Sequence, residues 1–233
     1  SKLLERNASE GTRILGTFNA PIEHWLDFFC YTNFIDRDGK YQLNMLSTSS
    51  FQPLAASMGP MLKEESFHLG TGANGLRRIV KQGIIPCHIL QKYINKWVST
   101  ALDLFGTDDS SSAHWAYVYG IKGRFDERNS EGEVDRNHLN EYSRNLYFEE
   151  IKNQMKSISK FRAADQDEII IPSNKFNRKI GKYAGKRFTT EGKAFEGDSK
   201  EWKEYINSTI PTLEDEDKLV NVYMQQEWIQ YRD

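Results

Sequence analysis

Apolar residues recur every three to four positions along most of this chain, the period of amphipathic helices rather than the period of two that marks strands. Residues 1–20 are polar and read as a leading segment. Pro21 then stands where a first helical residue would, ahead of IEHWLDFFCYTNFIDRDGKYQLNMLSTSS. Ser47 to Ser50 and Pro53 mark a break. A second long helix follows, LAASMGPMLKEESFHLGTGANGLRRIVKQ, ending at Gly83, with Gly59-Pro60 as a kink or as the start of its main part. HILQKYINKWVSTALDLF predicts a third helix, stopped by Gly106. The shorter SSSAHWAYVYGIK has serines for its N-cap.

Beyond Gly123 the character changes. GRFDERNSEGEVDRNH is almost wholly polar and reads as a surface crossing, and LNEYSRNLYFEEIKNQMKSISKF as an amphipathic helix. EIIIPSNKFNRKIGKYAGKRFTTEGK is glycine-punctuated and predicts irregular structure or a small hairpin. TLEDEDKLVNVYMQQEWIQYRD closes the chain as a helix capped by Thr212. The expectation is an all-α protein: a helical bundle over residues 1–125 and a helical and irregular appendage over 126–233.

Composition narrows the partners. A net charge of -2 and a pI near 6.2 give no reason to expect nucleic acid or an anionic membrane. No apolar run reaches the roughly 18 residues of a membrane span, and the polar start SKLLERNASEGTRILG does not read as a signal peptide. Cys30 and Cys87 lie far apart without metal-type spacing, which predicts free, packed thiols in a reducing cytoplasm.

The candidate chemistry lies on the first two helices. Glu65 and His68 are three residues apart and share a helical face. Met58, Met61, Leu62, Leu69, Gly72, Leu76 and Ile79 fall within roughly 60° of Glu65, whereas Glu64 points about 100° away. On the preceding helix, Ile22, Trp25, Phe29 and Leu43 lie within roughly 40° of Asp36. That makes Asp36 the expected buried acid of the DRD triplet and Asp38 the solvated one. A carboxylate on an apolar stripe is costly to bury unless paired or metal-bound. An acid on one helix and Glu-x-x-His on its neighbour is the half-site of a carboxylate-bridged di-iron centre, in which oxygen ligands and imidazole share the irons. The same residues could instead be hydrogen-bonded to one another inside a non-catalytic bundle. Gly70, Gly72 and Gly75 predict close approach by a neighbouring helix or a substrate.

Other residues read more simply. His24 is expected on the surface, and His88 beside Cys87 lacks partners for zinc. His114 and Trp115 are expected in helix packing. Lys122 with Arg124, and Arg178-Lys179 with Lys182, Lys186 and Arg187, form basic patches that would suit a phosphate-bearing ligand, a docking partner or solvent. Asn7-Ala8-Ser9 is a formal glycosylation sequon with no implied role.

Four blocks in order, YTNFIDRDGKYQL, FQPLAASMGPMLKEESFHLGTGANGLRRIV, ILQKYINKWVSTALDLFGTDDSSSAHWAYVYGIKGRFDE and NKFNRKIGKYAGKR, resemble the oxygenase component of benzoyl-CoA 2,3-epoxidase, the BoxB family. The resemblance runs from about residue 14 to about residue 225. It implies a ferritin-like di-iron oxygenase, with Asp36, Glu65 and His68 at the positions of second-half metal ligands. Two Fe ions, O2 and an aromatic CoA thioester, benzoyl-CoA, are implied with it. So are electrons from a separate flavin and iron–sulfur reductase, and a homo-oligomer is compatible. In such a protein reduced iron activates O2, and one oxygen atom enters the ring as an epoxide.

The chain departs from the family in three places. First-half ligands, a Glu and another Glu-x-x-His, lie upstream in the family, and no second Glu-x-x-His occurs here; Asp135-Arg-Asn-His138 has the spacing in a hydrophilic crossing. The connection at RIVKQGIIPCHIL is shorter, and the family continues past MQQEWIQYRD. A fragment of a longer polypeptide, a scaffold subunit without iron, and an oxygenase for another substrate are the readings these departures keep open. No side chain is assigned a catalytic role beyond metal binding.

Overall fold

The computed structural model describes residues 21–122 and 140–224. Seven α-helices occur among them: α1 (Trp25–Leu46), α2 (Gln52–Gln82), α3 (Cys87–Leu104), α4 (Ser111–Val118), α5 (Asn140–Ser159), α6 (Ser199–Thr209) and α7 (Leu213–Met224). The all-α expectation holds, with four long helices, and none is long and apolar enough to cross a membrane among the described residues. The charged crossing, Asp135 to His138 and the sequon lie outside the described residues.

Helix α1 begins at Trp25, four residues later than Pro21 suggested. His24 sets the start: its Nδ1 accepts the Asp27 N–H at 3.1 Å, an imidazole N-cap. The neutral ring therefore carries its proton on Nε2, 2.9 Å from the Tyr93 hydroxyl. Burial lowers the His24 pKa, in keeping with that neutral form. His24 is thus a half-buried joint between α1 and α3, and the surface reading is corrected.

Helix α2 runs unbroken through Pro60, whose ring sits on the exposed side, and ends at Gly83 in the left-handed conformation (φ 68°). Helices α1 and α2 pack closely because α2 presents glycine to α1. A Cβ on Gly72 would lie 2.6 Å from the Asn33 amide nitrogen, and one on Gly75 would overlap the Phe29 ring. Gly70 meets nothing. Two of the three glycines therefore serve helix approach.

Helix α3 occupies the centre. Leu90, Tyr93, Ile94, Trp97, Val98, Ala101 and Leu102 are all fully buried. They pack with Leu26, Cys30 and Phe34 of α1, Leu76 and Val80 of α2, and Tyr147, Ile151, Met155 and Ile158 of α5. Helix α5, beyond the boundary at residue 126, thus contributes to the same core. Both thiols are free and buried. His88 is exposed and takes no part in a metal-type cluster among the described residues.

Residues 160–198 are irregular, with one antiparallel bridge, Phe188 to Ala194, where a hairpin was one expectation. Helix α6 escaped the sequence reading. Its signal was Asp198-Ser-Lys-Glu201, which forms a full capping box. Thr212 caps α7, its hydroxyl accepting the Asp215 N–H at 3.4 Å.

Candidate metal centre

Helices α1 and α2 run side by side and bring Asp36, Glu65 and His68 together. One ligand atom from each lies within 4.8 Å of the others. His68 Nδ1 is 3.5 Å from Glu65 Oε2 and 3.8 Å from Asp36 Oδ2. These separations are too long for good hydrogen bonds. Two donors each about 2.1 Å from one ion, at the tetrahedral angle, would be about 3.4 Å apart. The spacing therefore fits a shared cation.

Glu65 Oε2 is buried and has no hydrogen-bond partner among the described residues. An orphaned carboxylate oxygen is expensive, on the order of 1–3 kcal/mol or more. A cation between the three groups would satisfy it. Asp36 is pushed up to about 6, first by burial and then by the Glu65 charge, against the opposing pull of His68. The same two carboxylates, after burial, raise the pKa of Tyr31, placing that phenol within electrostatic reach of the site. Its ring meets Trp97 edge-on, centroids 5.1 Å apart. Gly39 faces Glu65, but a methyl there would sit 3.8 Å from Oε1 in ordinary contact, so space does not require glycine.

The burial pattern differs from the helical-wheel reading. Side-chain exposure is 22% for Asp36, 21% for Glu65 and 56% for His68, so the imidazole is open to solvent. Trp25 is 50% exposed and Met61 45%: the apolar stripe around the ligands is only partly covered by the described residues. Glu64 is exposed, as expected.

Asp38 is the main correction. It is 3% exposed, accepts from Gln42 Nε2 at 3.3 Å, and burial pushes its pKa up to about 7. Lys122 provides an opposing charge nearby. The wheel assumed one buried stripe on α1. In fact α2, α3 and α5 all pack on this helix, so the face opposite Asp36 is covered as well.

Two members of the basic patches are structural. Lys122 Nζ donates to Gln42 Oε1 at 2.8 Å and to Asn140 Oδ1 at 2.6 Å. Arg178 is buried and bonded to Asp103 at 2.6 Å. Both are structural ties, which leaves Lys179, Lys182 and Lys186 as exposed cations. His114 is half-buried, its ring against Trp115, which is 53% exposed. Sequence reasoning missed a polar ladder from α5 to α1, centred on Glu150, because its members lie more than 100 residues apart in the chain.

An antiparallel helix pair that converges two carboxylates and an imidazole defines a helical protein with a metal-type half-site. Residues 1–127 match the family model described as phenylacetic acid catabolic protein, and the chain belongs to that family. It is also 31% identical, over 91% of its length, to benzoyl-CoA oxygenase component B of Aromatoleum evansii. The alignment takes in 54% of that protein, so the chain spans about half the length of this relative.

Proposed function

We propose that this chain supplies half of a carboxylate-bridged di-iron centre in an oxygenase acting on an aromatic CoA thioester, benzoyl-CoA being the first candidate. One observation carries the reading: three metal-type donors on two helices converge within 4.8 Å, around a buried Glu65 oxygen with no other partner. The relative named as a benzoyl-CoA oxygenase component supports the substrate class. The name "component B" supports a partner component, for which an electron-supplying flavin and iron–sulfur reductase is the candidate. Buried free thiols accord with a reducing cytoplasm.

In this reading Asp36, Glu65 and His68 hold iron, which when bound supplies the redox chemistry that activates O2. The other ligands come from a second Glu and Glu-x-x-His outside the residues of this chain. The chain's own contribution is orientation. Glycines at 72 and 75 let α1 and α2 approach closely enough for donors on separate helices to meet. The Tyr31 phenol stays protonated beside the carboxylates and retains a hydroxyl to donate.

Elemental analysis of the folded protein tests the proposal. Iron or manganese should be present and should fall by at least tenfold in Glu65→Ala and His68→Ala, as expected when a ligand is deleted. A folded protein that takes up neither metal would mark the chain as a scaffold. Turnover of benzoyl-CoA against other CoA thioesters, with the complete component and its reductase, tests the substrate.

A further inference from the structure

Asp36 leads a stretch of α1 in which Arg37, Lys40 and Tyr41 all reach toward α5. Arg37 Nη1 and Lys40 Nζ both ion-pair with Glu150, the lysine at 2.8 Å. The Tyr41 hydroxyl donates to the same carboxylate at 2.6 Å. Residues 37, 40 and 41 form one helical face, so a single acceptor on α5 holds three consecutive contacts of α1. One turn further along α5, Gln154 exchanges two hydrogen bonds with Asn33, each 3.0 Å. Arg37 Nε closes the ladder by donating to the Asn33 carbonyl at 3.2 Å. On the other side, the backbone of Asn33 is where Gly72 of α2 makes its closest approach.

Helix α1 is thus held in rotation from two directions, with the Asp36 carboxylate on the α2 side. A turn of α1 by a few tens of degrees would carry the Asp36 carboxylate out of the 4.8 Å cluster. Arg37 is 6% exposed and lies beside Asp36, so its tether is the one that acts most directly on the ligand. The charge-assisted bonds to Glu150 are short and directional, suited to fixing an angle rather than filling space.

We propose that Glu150 is a positioning residue for the metal half-site, acting through Arg37, Lys40 and Tyr41 to set the rotation of α1 and hence the aim of Asp36. The proposal rests on the metal-binding reading given above. Supporting shells of this kind commonly change metal affinity about 10- to 100-fold when removed.

The test is Mn2+ binding, followed by electron paramagnetic resonance, to the whole chain and three variants. Glu150→Ala should weaken binding about tenfold or more and broaden the bound signal. Glu150→Gln, whose amide oxygen still accepts from Tyr41 or one cation, should fall between. Leu219→Ala, a core deletion away from the ladder, serves as a stability control. It should lower the melting temperature yet leave the Mn2+ affinity unchanged. Equal affinities in wild type and Glu150→Ala would overturn the positioning role while leaving the metal site intact. Absence of Mn2+ binding by the folded wild type would overturn both. Should Glu150→Ala fail to fold, Tyr41→Phe removes one of the three ties, and a twofold or larger loss of affinity is then the supporting result.

Discussion

Helices α2 and α3 both lie along α1, yet they are covered to opposite extents. Eleven of the 18 residues of α3 are buried, against five of the 31 of α2. Helix α3 packs against α1 and α6 and shares one buried cluster with α1, α2 and α5, so most apolar side chains on it are covered. Helix α2 packs along α1, places Leu76 and Val80 in the core and meets α5, but it exposes large residues on its outer side, Phe67 among them at 74%. The difference separates two roles. Stability resides in the α3 core, while the donors sit where the described residues leave side chains accessible. Changes on α3 should therefore cost stability, and changes at Glu65 and His68 should cost binding.

Four experiments can break or sharpen that separation. The largest effect is expected from Trp97→Ala. This indole is fully buried and donates to Asp27 Oδ1 at 2.5 Å, so its removal leaves a cavity and takes one bond from Asp27, which keeps its ion pair with Lys96 at 3.0 Å. A loss of about 3–5 kcal/mol in urea unfolding is expected. Under 1 kcal/mol would show that α3 is not the stabilising centre.

Gly72→Ala comes next. The added methyl would meet the Asn33 backbone, which cannot swing aside as a side chain can. Forced separation of α1 and α2 should cost about 1–3 kcal/mol, measurable as a lower melting temperature. The same change at Gly70, where nothing lies within contact, should stabilise slightly through better helix propensity. Equal responses at the two positions would contradict the close approach.

Acid should act more gently. Burial works to raise the Glu150 pKa, but its bonds to Lys40 and Tyr41 and the Arg37 charge outweigh burial and leave it below the ordinary 4.5. A carboxylate depressed on folding contributes stability that is fully present above the unfolded value and is lost as pH falls through the folded one. The wild-type protein should therefore lose its advantage over Glu150→Gln as pH drops from about 5 toward 3. An advantage that persists at low pH would rule out this ion-pair account.

The smallest effect on stability is expected at the ligands themselves. Without metal, Glu65→Ala removes an oxygen that has no hydrogen-bond partner among the described residues, and His68→Ala removes a half-exposed ring. Neither should lower stability by more than about 1 kcal/mol, and relief of the orphaned oxygen should leave Glu65→Ala neutral or stabilised, read by thermal melts in chelator. A large loss would mean that these side chains hold the fold rather than a metal.

The same contrast explains what could be read in the sequence. Helices appear as a 3.6-residue period, so the four long ones were legible within a few residues, as was Gly83 as a stop. Convergence of Asp36, Glu65 and His68 followed from facing positions on two adjacent helices. Burial was not legible, because a helical wheel treats one helix against one core. Helix α1 is packed on several sides, which is why Asp38 lies inside while Asp36, on the named stripe, stays partly open. His24 was misplaced for a related reason: its cap and its bond to Tyr93 depend on α3, 69 residues away. Lys122 and Arg178 look like a basic surface in one dimension and are ties between distant segments in three. The Glu150 ladder is the extreme case, since nothing in the local pattern of α5 marks its acceptor.

The most direct measurement is anomalous diffraction at the iron or manganese edge from crystals of metal-loaded protein. A peak should lie about 2.0–2.3 Å from oxygens of Asp36 and Glu65 and a ring nitrogen of His68, the usual range for such ligands. A well-ordered protein with no peak there, or with metal bound at other residues, would contradict the account.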